Sequence, residues 1–192
     1  MEARQYAVVS YLNGPLAEFA ERLRARLTPG QAHLRAHITM LHPRLLAVGP
    51  AVSAPQVKNL AFTEHEIAAC AIVDRASAQL APIRVSLGDI ATFAPAHPTV
   101  YLPVEDGARH LRYLNSLLKV GVLDSPEPWE YVPHLTLATL ADNAAAFCAS
   151  QVAAAAWQDY RGPRAALIEE LSLVREESPD RWLDLHNANL GG

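Results

Sequence analysis

Only two cysteines occur in 192 residues, Cys70 and Cys148, far apart and in no Cys-x-x-Cys pattern. A disulfide framework and a zinc ribbon are therefore both without support. Cationic residues are scarce too: 16 Lys and Arg stand against 20 Asp and Glu, for a net charge of −4 with histidine neutral. A protein that coats duplex or long single-stranded nucleic acid needs many more cations to neutralise phosphates. A small phosphorylated substrate is still allowed, because a pocket needs only a few local donors. The nine glycines form no Gly-rich phosphate loop, which removes the Rossmann and P-loop readings. No Gly-x-Ser-x-Gly is present, so a serine-hydrolase elbow is also unsupported. There is no apolar run of membrane length, and Met1 to Gln5 leads straight into a strand-like segment without a signal-peptide apolar region. The expectation is a reduced, cytoplasmic protein with no membrane partner.

What is present is a globular composition, 51% hydrophobic and 19% charged, in a chain long enough to bury a core. Gln5–Leu12 reads as a strand. Pro15–Leu27 reads as an amphipathic helix, from the spacing of Leu16, Phe19, Ala20, Leu23 and Leu27. His37–Leu41 is a short strand, followed by a Pro-rich loop over His42–Pro55. A helix is expected over Thr63–Gln79, strands over Pro82–Phe93 and Thr99–Val104, and a helix marked by Ala108, Leu111, Leu114 and Leu118. Asp124–Pro133 reads as a loop and His134–Leu140 as a strand. Asp142 suits the N-cap of an Ala-rich helix reaching Trp157. Leu167–Val174 and Trp182–His186 read as a closing hairpin. Each half offers helix, motif strand, helix and two strands. Closely spaced strands favour an α+β fold with antiparallel sheets over a doubly wound parallel one.

Two segments repeat one pattern, His37-Ile38-Thr39-Met40-Leu41 and His134-Leu135-Thr136-Leu137-Ala138. In a strand, residues i and i+2 share a face. Each strand thus shows an imidazole and a hydroxyl on one surface and anchors the other in a core. With eight histidines in the chain, a Thr two places after a His is expected about 0.3 times by chance. Two such pairs with matching apolar neighbours point to a shared task. Histidine can give or take a proton near neutrality, so two of them flanking one phosphate can act as base and acid. Threonine hydroxyls can donate to the non-bridging oxygens. This chemistry needs no metal and no cofactor.

The paired His-x-Thr-x segments, half a chain apart, resemble those of the two-histidine (2H) phosphoesterase superfamily, which includes 2′-5′ RNA ligase-like proteins and cyclic phosphodiesterases. The resemblance implies a bilobal, pseudo-twofold α+β domain over residues 1–192, with two small antiparallel sheets flanked by helices and a central cleft. It also implies metal-independent hydrolysis of a 2′,3′-cyclic phosphate or 2′-5′-type phosphodiester. His37 and His134 would be catalytic, and Thr39 and Thr136 would bind phosphate. Relatives often carry an arginine where this chain has Thr139, which argues against RNA-sized substrates. Tyr131, before the second motif, is a candidate to stack on a base or ribose, and Arg44, in the loop after the first, a candidate phosphate cation. The expected partner is a small nucleotide or RNA end, bound by a monomer. The competing function is a non-catalytic binding module for a phosphorylated ligand or RNA end. His33 and His37 are spaced as a helical zinc pair, but Thr28-Pro29-Gly30 precedes them, strand follows, and no third ligand stands at suitable spacing. Cys70 and Cys148 read as small buried hydrophobes.

Overall fold

The computed structural model describes residues 4–47 and 63–191. Nine strands and four helices follow in the order β1 (Tyr6–Tyr11), α1 (Gly14–Leu27), β2 (His37–Arg44), α2 (Glu64–Ser77), β3 (Ile83–Ser86), β4 (Ala91–Thr92), β5 (Thr99–Pro103), α3 (Ala108–Leu118), β6 (His134–Thr139), α4 (Asn143–Asp159), β7 (Ala165–Ile168), β8 (Glu170–Ser178) and β9 (Arg181–Asn189). Seven strands form one sheet in the order β4-β5-β6-β2-β1-β8-β9, and β3 and β7 form a second. All pairings are antiparallel.

The α+β antiparallel class is thus the observed one. The two small sheets expected of the halves are joined into a single large one, but only just. β2 and β6, the motif strands, meet at a single register pair, Ile38↔Leu135. Three further expectations are corrected. The strand expected over Pro82–Phe93 breaks after Ser86 into β3 and β4, because Leu87 bridges to Val104 and the Gly88 N–H bonds to the Pro103 carbonyl. The segment expected as Leu167–Val174 divides at Glu169. Its first part pairs with β3, and its second forms the hairpin with β9, turning at Asp180 with φ 59°. β2 also runs on to Arg44, beyond the expected start of the loop; residues 48–55 of that loop lie outside the described residues.

The helices form where their caps and stripes predict. Pro15 sits in the first turn of α1. Thr63 and Glu66 close a capping box on α2, with the Glu66 N–H donating to Thr63 Oγ1 (3.2 Å) and the Thr63 N–H to Glu66 Oε2 (2.7 Å). Asp142 accepts from the Ala145 N–H at 2.8 Å and caps α4. Gly107 opens α3 with φ +82°, and a Cβ there would come within 2.6 Å of the Arg84 carbonyl oxygen, so this turn requires glycine.

The core lies between helices and sheet. Val8, Ile38, Leu135, Leu137 and Leu173 share one buried cluster with Leu16, Ile72, Leu111, Leu114 and Trp157 from the four helices. On the opposite face of the sheet, Ala7, Val9 and Val174 form a small separate cluster under Tyr11 and Trp182. The packing is crossed between halves: α1, from the first half, lies against β6, while α3, from the second, lies against β2.

Candidate active site

The single pair Ile38↔Leu135 is the centre of both motifs. Antiparallel register about that pair sets His37 across from Thr136 and Thr39 across from His134, with the two histidines on the diagonal. Diagonal neighbours on one sheet face are about 7–8 Å apart. Ile38 and Leu135 are fully buried on the helix side, and the four polar residues are partly exposed on the other. The sequence-predicted quartet is therefore brought together on one surface.

Each motif strand carries a β-bulge directly after its threonine. In β2, Val9 opposes Thr39 and Val8 opposes Leu41, so Met40 is the extra residue. In β6, Tyr101 opposes Thr136 and Val100 opposes Ala138, so Leu137 is extra. A bulge suspends the alternation of faces, and both residues after each threonine point into the core. Met40, Leu41 and Leu137 are 0% exposed and Ala138 1%. The apolar-apolar ending of both motifs is the sequence trace of these bulges.

A bulge also strands backbone carbonyls, which must find other donors. They find them across the halves. Arg24, on α1, donates to the Thr136 carbonyl (2.7 Å) and to the Leu34 carbonyl ahead of β2 (2.6 Å). Asn115, on α3, donates to the Met40 carbonyl (2.7 Å). The Tyr131 hydroxyl donates to the Thr39 carbonyl (2.8 Å). Arg24, Asn115 and Tyr131 are all buried. None of the three ties was foreseen. The signal for two of them was polarity on an apolar stripe: Arg24 lies four residues after Ala20, and Asn115 four after Leu111.

The two imidazoles are held in the same way. His37 Nδ1 lies 2.8 Å from the Arg35 carbonyl and His134 Nδ1 2.6 Å from the Val132 carbonyl, in each case the residue two before. A carbonyl only accepts, so Nδ1 carries the proton in both neutral rings and Nε2 is left as the free lone pair. His134 meets Phe93 and Tyr101 edge-to-face, with ring centroids at 5.0 and 5.1 Å. Burial in this aromatic pocket pushes its pKa down to about 4, against the opposing Val132 hydrogen bond. Burial lowers His37 as well, and Arg24 and Arg35 add to the effect.

A cleft of about 350 Å³ opens beside the first motif. His37 and Thr39 form one wall, with Tyr11, Arg35, Arg181 and Trp182 around them. The Arg35 guanidinium lies 3.7 Å over the Tyr11 ring, whose hydroxyl donates to Asp184 at 2.8 Å. His134 and Thr136 do not line this cleft; they stand on the other side of the β2–β6 junction.

Three expectations are corrected. Tyr131 is not a stacking residue at the rim: it is 4% exposed, because its hydroxyl is needed inside by the Thr39 carbonyl. Arg44 is not a loop cation. A second bulge, between the Leu41↔Val8 and Arg44↔Tyr6 pairs, turns it inward. Its guanidinium bonds to the His42 and Leu123 carbonyls and pairs with Glu127. Cys148 is exposed and Cys70 only partly buried. His33 Nε2 contacts the Asp180 carbonyl at 2.7 Å. Among the described residues no three His, Cys, Asp or Glu side chains converge as a metal site, and no helix is long and apolar enough to cross a membrane.

Solved structures share this architecture from end to end. Escherichia coli LigT complexed with NADP+ superposes with a TM-score of 0.60 over 100% of both chains, at 17% identity. TT0787 of Thermus thermophilus gives 0.55 over 98% of both, at 18% identity. In sequence, a protein of Bacillus licheniformis named a phosphoesterase is 24% identical over 134 residues, 70% of each chain. One of Geobacillus thermodenitrificans with the same designation is 26% identical over 133 residues, 69% of this chain and 68% of its own. The family model of the 2′-5′ RNA ligase superfamily matches residues 13–180. With both His-x-Thr segments inside that span, the chain belongs to the 2′-5′ RNA ligase superfamily.

Proposed function

We propose that this protein is a metal-independent phosphodiesterase that hydrolyses a 2′,3′-cyclic phosphate or 2′-5′-type phosphodiester by acid–base catalysis between His37 and His134. The observation that carries the proposal is the matched presentation of two Nε2 atoms. Each Nδ1 is committed to a carbonyl, and the register about Ile38↔Leu135 sets each histidine across from the other motif's threonine on one sheet face. With a phosphate seated among the four side chains, one Nε2 takes a proton from the attacking water. The other, protonated, gives its proton to the ribose oxygen as the phosphorus–oxygen bond breaks. Water oxygen ends on phosphorus, and the product is a phosphomonoester. Thr39 and Thr136 donate to the non-bridging oxygens, where charge builds. LigT has been crystallised with NADP+, 3′-AMP, ATP and phosphate. The aromatic and cationic walls of the adjoining cleft suit a small nucleotide or RNA end.

The test is turnover of 2′,3′-cyclic nucleotides and short 2′-5′-linked oligonucleotides in EDTA. His37→Ala and His134→Ala should each lower kcat/KM by about 10²–10⁴-fold, and Thr39→Val and Thr136→Val by about 10-fold or more. Full turnover in either histidine variant would falsify the assignment. Binding of a phosphorylated ligand without turnover, retained in both histidine variants, would instead identify a binding module.

A further inference from the structure

A third imidazole stands against the proposed site. His42, in β2, lies nearly parallel to His134, with 28° between the rings and 6.5 Å between their centroids. Its Nδ1 is enclosed and has no hydrogen-bond partner among the described residues. It faces Glu127 Oε1 at 3.8 Å. The Glu127 carboxylate is itself caged by Arg44 and by the Lys119 ammonium, at 2.5 Å. Roughly a third of the His42 side chain is accessible (34%), so the open edge of the ring lies away from the enclosed Nδ1.

Among the described residues, the charged and titratable groups around the ring are Glu127, Arg44, Lys119 and His134, and the Tyr131 ring meets it edge-to-face at 6.0 Å with the hydroxyl already given to Thr39. Two cations and burial oppose a proton on His42, and one carboxylate favours it. The balance lies against the proton, and an anion arriving at the open edge would offset the two cations and favour it. The protonated ring would then donate from Nδ1 toward Glu127 and from Nε2 toward the anion.

We infer that His42 is a third phosphate-binding imidazole, backed by Glu127, that donates from the His134 side to the phosphate held by the two motifs. Two near-parallel rings 6.5 Å apart can each donate, in the ring plane, to oxygens of one phosphate seated along their edges, at hydrogen-bond lengths of about 2.8 Å. The inference rests on the phosphodiesterase reading of the same site. It adds a direction: a phosphomonoester dianion gains more from a protonated His42 than does the monoanionic cyclic diester, so the site holds its product class more tightly than its substrate class.

The experiment uses inorganic phosphate as the probe, with the full chain. Phosphate binding is measured by calorimetry and by the His42 imidazole resonances in a pH titration. His42→Phe keeps a ring and removes both nitrogens. His42→Gln returns an uncharged N–H donor near the position of Nε2. In the wild type, phosphate should raise the His42 titration midpoint. His42→Phe should weaken phosphate about tenfold, and His42→Gln should recover part of that loss. Phosphate affinity unchanged in His42→Phe, or a loss that Gln does not relieve in a folded protein, overturns the inference. So does a His42 midpoint indifferent to phosphate. These outcomes are separable from failure of the proposed function, because they need no turnover. If His37→Ala and His134→Ala abolish hydrolysis while His42→Phe binds phosphate normally, only the third imidazole is wrong.

Discussion

Tyr131→Phe removes one oxygen atom and nothing else from the structure. That oxygen is the donor to the Thr39 carbonyl, in the bulged part of β2, where the ladder with β1 is interrupted. The ring stays and no cavity of consequence opens, so the effect isolates the hydrogen bond. A neutral intramolecular hydrogen bond contributes about 0.5–1.5 kcal/mol net, and an orphaned buried acceptor costs about 1–3 kcal/mol. Tyr131 is 4% exposed, so water cannot easily replace the hydroxyl. A loss of about 1–2.5 kcal/mol is expected, which for a chain of this size lowers Tm by about 2–10 °C. The carbonyl belongs to Thr39 itself, so the change should also reach the proposed site. If the hydroxyl sets the threonine's position, kcat/KM on a cyclic nucleotide should drop about 3- to 10-fold, as expected for a small misplacement of a phosphate donor. Urea unfolding and steady-state kinetics on one preparation read both quantities. A Tyr131→Phe protein as stable and as active as the wild type would refute the claim that the bulge depends on this loop-to-strand tie.

Arg24→Lys should cost about 1–3 kcal/mol in chemical denaturation, because one ammonium cannot replace a fork that reaches both Leu34 and Thr136; retention of full stability would count against that bridging role. Acid should destabilise the fold through the site histidines. Their folded pKa values lie below the unfolded value of about 6.5, so the unfolded chain takes up protons first and stability falls as pH drops from about 6.5 toward 4, by at most about 1.4 kcal/mol per pH unit for each histidine. His134→Gln should flatten that decline, and an unchanged pH dependence of urea midpoints would contradict it. Burial pushes the Glu66 carboxyl up, but the Thr63 backbone N–H, Arg175 and Tyr6 outweigh it and hold its pKa below the usual value. Its stabilising contribution is therefore present above the ordinary glutamate range and lost as pH falls through the depressed value. Arg175→Met, which leaves this 1%-exposed carboxylate short of its cation, should lower stability by about 2–4 kcal/mol at neutral pH and by less at pH 3; equal losses at both would show that the pair is not the cause.

Period-2 alternation was enough to place His37 with Thr39 and His134 with Thr136, since each pair lies within an unbroken stretch of strand. Helices α1, α3 and α4 were equally legible, because an apolar stripe, a cap and a stop are local features. What alternation cannot see is an extra residue. Both motif strands are bulged after the threonine, and β2 is bulged again before Arg44, which is how a residue expected in a loop came to be buried against Glu127. Tyr131 was misread for a related reason: its partner is a carbonyl stranded by a bulge 92 residues away in sequence. The union of the halves into one sheet depends on a single residue pair, which no local pattern announces. His42 reads as an ordinary loop histidine until β2 is seen to continue and carry it beside His134.

Only Ile38 and Leu135 join the two motif strands, and their side chains point away from the proposed site, fully enclosed among the helices. They form a wedge of core behind the seam of the two motif strands. The splay of the two strands to either side of that pair is consequently backed by aliphatic volume that a ligand never meets. A methylene gained or lost at either position would shift the aperture without touching a donor, an acceptor or a charge. Selectivity for the girth of a substrate could thus drift in this lineage while the His and Thr residues stay fixed, and a search for its determinants confined to the cleft lining would miss both.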